Sequence, residues 1–470
     1  KYKARLNIHG GKQEYGVNFY ETFSPVVPWI FIRLLFILAL IYGWSTRQID
    51  YVLAFPQAPI QFDMYMDIPV GIMLDPSIGT NETHVLQLLK NLYGQKQASR
   101  QFYLFLVERL EKIGFQKSKI DDCVFYYEDM IFVVYVDDAI IFMKDESKFD
   151  KLFKQLQKEF DVEEKGDVEQ FLGLHFSKVE QGNGYNITQT HLIDQIVADV
   201  GLKGKNFKCP QTPSPSTIIL NRNQNEAPFD PNLFHYRSVV GKLNYLEKSS
   251  RPDISYAVHQ CARFSHDPKV GHGQAIIHLV KYLHGTRTKG IILRPDDSRS
   301  LHCHVDADFC GNWSKLTAMD DASTAKSRTG FVITYANCPV SWSSKLQTQV
   351  ALSTTEAEYI AMSTALREAV PIMNFLNELQ EKLFISKGSR TKLHCKVFED
   401  NSGALEMARN PKMRPRTKHI NVLYHWFVSY IKSGSVKAYP VLSENQCADL
   451  WTKPLPHKLF LKHRKKVLSW

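Results

Sequence analysis

The sequence predicts a multidomain chain of mixed α+β and α/β class, and three observations carry that expectation. At 470 residues the chain exceeds what one core comfortably fills, so two or three domains are expected. Its first part alternates short β-rich runs with amphipathic helices, and a mostly helical middle follows. Its last part runs strand, strand, long helix, strand, helix, which is an α/β order. The expected divisions are residues 1–195, 196–295 and 296–470.

Taken in order, residues 30–42 (IFIRLLFILALIY) form the first strong signal. Arg33 interrupts this stretch, and it falls short of the roughly 20 apolar residues a membrane span needs. A buried helix is expected there, and no membrane partner. Residues 47–55 read as a strand carrying Asp50. Residues 99–115 place Phe102, Leu106, Leu110 and Ile113 at helical spacing. Residues 131–136 and 139–143 read as a hairpin with Asp137 and Asp138 at its tip. Residues 147–160 give a second amphipathic helix, with Phe149, Leu152, Phe153, Leu156 and Phe160 on one face. Gly182-Asn183-Gly184 reads as a hairpin turn. Prolines 210, 213 and 215 and the polar run 221–231 mark a surface connection.

Residues 232–295 look mostly helical, on the spacing of Ala257, Cys261 and Phe264 and then Ile276, Leu279, Val280 and Leu283. Residues 301–305 and 331–334 read as strands. Residues 354–383 read as a long helix that Pro371 should kink or end early. A strand over 392–398 and a helix over 402–408 follow.

A net charge of +10 favours a polyanionic partner, of which nucleic acid is the commonest. The eight cysteines are scattered without a C-x-x-C pair, which argues against a structural zinc site and fits a reducing compartment. The first residues, Lys1-Tyr2-Lys3-Ala4-Arg5, show neither an initiator Met nor a signal-peptide pattern, so the sequence reads as the middle of something longer.

Asp137 and Asp138 are two adjacent charges inside apolar strands. Two crowded carboxylates raise each other's pKa, and the pair favours a divalent cation. Alone they also fit a solvated turn. Asp50 changes the weighing, because neighbouring strands would bring Asp50, Asp137 and Asp138 to one face, an oxygen-ligand set suited to Mg²⁺. A second set follows: Asp306 ends a strand, Glu358 lies on a helix, Asp400 closes a strand and Asp449 opens a helix. Taken singly, each fits a helix cap or a solvated acid.

Several segments resemble one family. Gln48 through Phe55 is similar to the first palm motif of reverse transcriptases, and Tyr135-Val136-Asp137-Asp138 to their Y-x-D-D hairpin. Leu92 through Arg100 resembles the L-Y-G-L-K-Q-A-P-R signature of copia-type elements, and Glu21 through Val27 and Arg251-Pro252-Asp253-Ile254 fit the same family. The order of Asp306, Glu358, Asp400 and Asp449 resembles ribonuclease H, and the segments S-T-x-E-A-E-Y and A-D-x-x-T-K-P-L are close to the copia version. The chain therefore resembles, nearly end to end, the reverse transcriptase and ribonuclease H region of a copia-type LTR retrotransposon Pol polyprotein.

The resemblance implies a palm-and-fingers polymerase domain, a helical thumb or connection region and a ribonuclease H-like domain. It implies RNA-directed DNA synthesis and cleavage of the RNA strand of RNA–DNA hybrids, with Mg²⁺ or Mn²⁺ as cofactor. Asp50, Asp137 and Asp138 would be the polymerase carboxylates, and Asp306, Glu358, Asp400 and Asp449 the ribonuclease acids. Asp308 and Glu399 are near alternatives; Glu356 and Glu358 point in different directions on a helix, and Glu358 is taken because E-Y-I-A resembles the family's E-L-x-A pattern. Phe55 would select dNTPs by excluding a 2′-hydroxyl. Lys3 and Arg5 match a segment thought to reach the triphosphate, and Lys96 and Arg100 would meet template or nucleotide. Phe171-Leu172-Gly173 would lie near the gripped primer.

The partners implied are RNA template, DNA primer, RNA–DNA hybrid and dNTPs, with integrase and capsid as companions. The compartment implied is the cytoplasm, in virus-like particles, with the nucleus as the other. His419 and His425 are weighed as proton-transfer groups against structural roles. The sequence departs from the family in starting inside the fingers region, in Ser99 for the usual Pro, and in Tyr51-Val52-Leu53 for the commoner V-K-T. Many ribonucleases H carry a His in the loop before the last acid, and residues 438–445 have none. The competing expectation is a non-catalytic, nucleic-acid-binding remnant.

Overall fold

A computed structural model describes residues 6–75, 77–179, 182–222, 225–315, 321–382, 384–385, 393–410 and 424–470. The fold is mixed α/β with several sheets, and the chain divides into two compact units: Lys1–Pro28 with Tyr42–Val168, and Trp29–Ile41 with Glu169–Trp470. Helix α1 (Trp29–Tyr42) is the apolar stretch, buried from Phe31 through Leu40. A helix apolar on every side is a core helix. Arg33 is tolerated inside it because its charge is met by polar partners. Nη1 donates to the Val340 carbonyl at 2.7 Å, Nη2 donates to the carbonyls of Lys248 and Ser249, and the guanidinium stands 4.0 Å from the Trp342 ring centroid. No helix of the described residues is long and apolar enough to cross a membrane.

The first unit continues with β1 (Ser45–Tyr51), α2 (Ala54–Gln57), the paired β2 (Tyr65–Asp67) and β3 (Val85–Gln87), α3 (Ala98–Ile113), β4 (Gln116–Lys117), β5 (Val124–Tyr127), β6 (Met130–Tyr135), β7 (Asp138–Met143), α4 (Phe149–Glu159) and β8 (Val162–Gly166). Its main sheet has the order β4-β5-β6-β7-β1-β8. The apolar spacing read from the sequence is what packs: Phe102, Leu106 and Leu110 of α3 and Phe149, Leu152 and Leu156 of α4 are buried with Phe132, Val134, Ala139, Ile141 and Ile49 of the sheet. Helix α3 ends at Gly114, whose φ of +109° suits glycine, and its N–H returns to the carbonyls of Leu110 and Glu111.

The second unit adds β9 (Gln170–Phe171), β10 (Leu174–Lys178), β11 (Tyr185–Thr188), α5 (Thr190–Asp199), α6 (Tyr236–Ser249), α7 (Ser255–Ala262), α8 (Val270–Gly285) and β12 (Ile291–Leu293). The strands form a sheet in the order β12-β11-β10-β9, with β10 and β11 paired antiparallel on either side of Gly182–Gly184. The helical expectation for 232–295 is met by α6, α7 and α8 but stops short of Ile291–Leu293, which pair with β11. In the Arg251-Pro252-Asp253-Ile254 segment, Arg251 and Asp253 form a fully buried two-point ion pair at 2.9 and 2.8 Å. Tyr282 donates to Asp253 at 2.7 Å, and Arg251 donates to Thr286 Oγ1 at 2.8 Å, so the motif ties α8 to the end of α6.

Then come β13 (Leu301–Asp308), β14 (Arg328–Tyr335), β15 (Cys338–Leu346), α9 (Thr354–Glu381), β16 (Cys395–Glu399), α10 (Ser402–Arg409), α11 (Val428–Lys432), β17 (Val436–Pro440), α12 (Asp449–Thr452) and α13 (His457–Leu468). The sheet order is β15-β14-β13-β16-β17. Strands β13, β14 and β15 are antiparallel, and β16 and β17 run parallel to β13. One expectation is corrected here: Pro371 does not end the long helix, which continues to Glu381. Proline inside a helix costs about 3 kcal/mol. Val370, Ile372, Met373, Phe375 and Leu376 around it are all buried, and that burial outweighs the lost hydrogen bond. All eight cysteines are unpaired.

Candidate functional site

The first carboxylate group sits on the central hairpin of the first unit. Strands β6 and β7 pair Tyr135 with Asp138, leaving Val136 and Asp137 as the turn. Val136 has φ of +57°, a left-handed conformation costly for a β-branched residue, and strain of this kind collects at functional turns. Strand β1 lies beside β7 in a register that sets Asp50 directly opposite Asp138, and the Tyr51 N–H donates to the Asp137 carbonyl at 3.1 Å. The strands are therefore neighbours, and the acids come together from positions far apart in the sequence.

Like charges directly opposite one another are destabilising. Burial, then Asp137 and Asp50, push the Asp138 carboxyl up to about 6. Lys165 on β8 offsets part of the charge, with Nζ 3.4 Å from Asp50 Oδ2.

The other residues singled out in this unit have identifiable neighbours. The half-buried Phe55 packs its ring 4.8 Å from Tyr93 and 6.4 Å from Phe102, just after Leu53 turns the chain at φ of +51°. Lys96 donates to the Gln13 carbonyl at 3.0 Å and stands 4.4 Å from the Phe19 ring centroid. Arg100 pairs with Glu21 and donates to the Phe23 carbonyl at 3.2 Å. Both cations thus brace the 13–23 segment against the start of α3. Lys3, Arg5 and His419 lie outside the described residues.

The second group sits at one end of the β13–β16 sheet. Among the described residues, Asp306, Glu358 and Asp400 form the one group of three acids in which one carboxylate oxygen from each lies within 4.8 Å of one from each of the others. Parallel pairing of β13 and β16 carries Asp306 and Asp400 to the same end of the sheet, and α9 contributes Glu358 from its second turn. Asp306 and Glu358 are buried. Burial, then Glu399, Asp306 and Asp400, hold the Glu358 carboxyl well above the usual carboxylate range, and its Oε2 is buried without a hydrogen-bond partner. An orphaned buried carboxylate oxygen facing two more carboxylates fits a hard divalent cation bound through oxygen.

Asp449 stands outside this trio. Burial, then Asp306, push it up to about 7, and Lys453 one helical turn on pairs with it at 2.8 Å. The structure also separates the alternatives left open by the sequence. Glu356 is occupied in the helix cap, where its carboxylate accepts from the Leu352 N–H at 2.7 Å while Ser353 Oγ accepts from the Glu356 N–H. Glu399 is buried and accepts from the Asn401 N–H at 2.9 Å. Asp308 packs against Gly311, where a Cβ would fall 1.6 Å from Oδ2. His425 pairs with the Tyr359 hydroxyl at 2.9 Å, and burial lowers its pKa. Leu172 and Gly173 form the two-residue turn between β9 and β10, at φ of +48° and +72°.

Sequence reasoning missed four residues. Thr452 donates to Asp306, Lys453 pairs with Asp449, Lys165 approaches Asp50, and Ser443 donates to Asp400 at 2.7 Å. Thr452 and Lys453 follow Asp449 by three and four positions, which is one helical turn, so that spacing was a readable signal. No local signal marked Ser443 or Lys165.

Residues 1–214 match the family model described as reverse transcriptase (RNA-dependent DNA polymerase). Over 472 residues the chain is 33% identical to the retrovirus-related Pol polyprotein from transposon RE1 of Arabidopsis thaliana, covering 99% of this chain and 30% of that polyprotein. It is 32% identical over 476 residues to the corresponding polyprotein from transposon TNT 1-94 of Nicotiana tabacum, covering 98% and 33% respectively. The chain thus spans about a third of the length of these relatives. A solved ribonuclease H1 isolated from compost aligns with 33% of this chain and 93% of its own, at 14% identity and a TM-score of 0.23.

Proposed function

The chain belongs to the reverse transcriptase family found in retrovirus-related Pol polyproteins of copia-type transposons, and on that premise we propose that it is an RNA-directed DNA polymerase with a second, ribonuclease H site. In this reading residues 1–195 are fingers and palm, 196–295 thumb or connection, and 296–470 the ribonuclease H-like part. The observation that carries the polymerase reading is the register of β1 on β7, which sets Asp50 opposite Asp138 beside the turn residue Asp137. The convergence of Asp306, Glu358 and Asp400 carries the ribonuclease reading.

Asp50, Asp137 and Asp138 would hold divalent ions, Mg²⁺ or Mn²⁺, at the hairpin, and Asp306, Glu358 and Asp400 would hold them at the sheet end. Bound there, such ions supply activation of an attacking hydroxyl or water and charge neutralisation at phosphate. The chain's own groups set the rest. Lys165 limits repulsion at Asp50, and Phe55, packed on Tyr93 and Phe102, gives a rigid apolar wall against which a sugar lacking a 2′-hydroxyl fits. Lys453 keeps a cation beside Asp449 and Asp306. The substrates are a primed RNA template, dNTPs and the RNA–DNA hybrid, and the net charge of +10 suits them. Integrase and capsid of the same element are the companions proposed, in cytoplasmic virus-like particles or the nucleus.

The test is dTTP incorporation on poly(rA)/oligo(dT) with Mg²⁺, beside release of labelled RNA from an RNA–DNA hybrid. Incorporation by the wild type that Asp137→Asn abolishes supports the polymerase reading. RNA release that Asp306→Asn abolishes supports the ribonuclease reading. A folded, hybrid-binding wild type that does neither is the non-catalytic remnant.

A further inference from the structure

The segment between β17 and α12 holds no histidine, yet it touches the sheet-end acids more closely than any sequence signal suggested. Ser443, Glu444 and Asn445 form a single short turn. The Ser443 hydroxyl does not cap that turn. It reaches across to donate to Asp400 Oδ2 at 2.7 Å. Gln446, fully buried, donates through Nε2 to the Val305 carbonyl at 2.7 Å and to the Phe398 carbonyl at 3.3 Å. It thereby stitches the ends of β13 and β16, the strands that deliver Asp306 and Asp400.

Helix α13 braces the turn. Lys462 Nζ donates to the Glu444 carbonyl at 2.8 Å and to Asn445 Oδ1 at 3.0 Å, and Lys466 Nζ donates to the Asn445 carbonyl at 3.4 Å.

We propose that Ser443 is a positioning residue for the sheet-end cation site: it fixes the Asp400 carboxylate in its liganding orientation, and Lys462 and Lys466 fix Ser443. The proposal rests on the ribonuclease reading above. Its physical basis is that an acid only partly buried has freedom to rotate, and freedom lost on binding a cation weakens binding. Asp306 is packed in the sheet and receives the Thr452 hydroxyl, and Glu358 is buried on α9. Asp400 is the most exposed of the three, and among the described residues Ser443 is the side chain that donates a hydrogen bond to it. Partners that orient a metal-binding carboxylate commonly change affinity by about 10- to 100-fold. Ser443 is exposed, so the lower end of that range is expected. Its single exposed hydrogen bond contributes little to folding, on the order of 1 kcal/mol.

The experiment uses the full chain carrying Asp50→Asn, Asp137→Asn and Asp138→Asn, which together neutralise the hairpin acids, and titrates it with Mn²⁺ by electron paramagnetic resonance. Binding that Asp306→Asn abolishes reports the sheet-end site. Ser443→Ala should weaken that binding by about tenfold, and Ser443→Thr, which keeps the hydroxyl, should retain it. In the same proteins, the Mg²⁺ needed for half-maximal RNA-strand cleavage should rise by the same factor in Ser443→Ala. The rate at saturating Mg²⁺ should stay within about twofold, a split that a merely structural role would not produce.

Parent-like Mn²⁺ affinity in Ser443→Ala overturns the positioning role and leaves the ribonuclease reading standing. A parent protein with no Asp306-dependent Mn²⁺ binding removes both. Should Ser443→Ala fail to fold, Lys462→Met takes its place. A loss of about threefold is then expected, and unchanged affinity overturns the proposal.

Discussion

The two carboxylate groups reach their geometry by opposite routes. At the hairpin, strand register alone brings Asp50 against Asp138, the acids are half exposed, and Lys165 offsets part of the charge. At the sheet end, two strands and a helix converge, two of the three acids are buried, and among the described residues no lysine pairs with Glu358, whose Oε2 is left without a partner. The first arrangement tolerates its charge without a cation. The second leaves Glu358 Oε2 buried without a partner beside Asp306 and Asp400, where protonation or a cation would stabilise it, because a buried carboxylate oxygen without a partner is expensive. The difference teaches that carboxylate groups of equal chemistry can stand in very unequal dielectric surroundings.

The sharpest way to break this comparison is to remove one acid at a time. Asp138→Asn should lower DNA synthesis by at least about 100-fold while leaving RNA-strand cleavage intact, and Glu358→Gln should do the reverse. Parallel primer-extension and hybrid-cleavage assays check it, and a variant that loses both activities equally would contradict the separation. Next in size, Gly330→Ala should destabilise the second unit by about 1–3 kcal/mol, because the added Cβ would meet Trp451 Cβ at 2.9 Å and the Ala448 carbonyl at 3.0 Å beside Asp306. Thermal melting followed by tryptophan fluorescence would show it, whereas an unchanged midpoint would mean the Asp449 helix can retreat.

A pH series sharpens the comparison further. Raised carboxyl pKa values mean that the neutral acids favour the folded, metal-free protein at low pH. That stability is fully present below the unfolded carboxylate pKa of about 4 and is lost as pH rises through the folded pKa. For Asp138 the window closes near 6, and for Asp449 near 7. Proton competition therefore predicts that Mn²⁺ affinity at the hairpin levels off above about pH 6, while affinity at the sheet end, where burial holds the Glu358 carboxyl well above the usual carboxylate range, keeps rising at higher pH. Mn²⁺ titrations with the opposite cluster neutralised would reveal two superimposable profiles if the difference in burial were unimportant. The smallest effect is expected from Lys165→Met. Its pairing with Asp50 is about 40% exposed on both sides, so the melting point should fall by no more than the equivalent of about 1 kcal/mol.

Most of the hairpin site was legible in the sequence because its determinants are local or periodic. Alternation fixed the strands around Asp137 and Asp138, and the same spacing that marked Phe102, Leu106 and Leu110 as one face put them in the core. The sheet-end site was legible as an ordered set of acids, but the choice between Glu356 and Glu358 rested on resemblance until the structure showed Glu356 occupied in the cap of α9. The long helix itself was legible, but an early end at Pro371 was not borne out, and the burial of its neighbours shows why the helix continues to Glu381.

By itself the sequence determined which residue types were available and where chain periodicity would place them: the buried character of α1, the Asp137–Asp138 hairpin and the order of the later acids. The tertiary structure decided what those residues meet. It assigned Trp29–Ile41 to the second unit, turned Lys96 and Arg100 toward the 13–23 segment, and brought Ser443 to Asp400 across more than forty positions of chain. The physical reason is range. Periodicity and turn chemistry act over a few residues, whereas burial, register and the pairing of charges depend on which distant surfaces exclude water together.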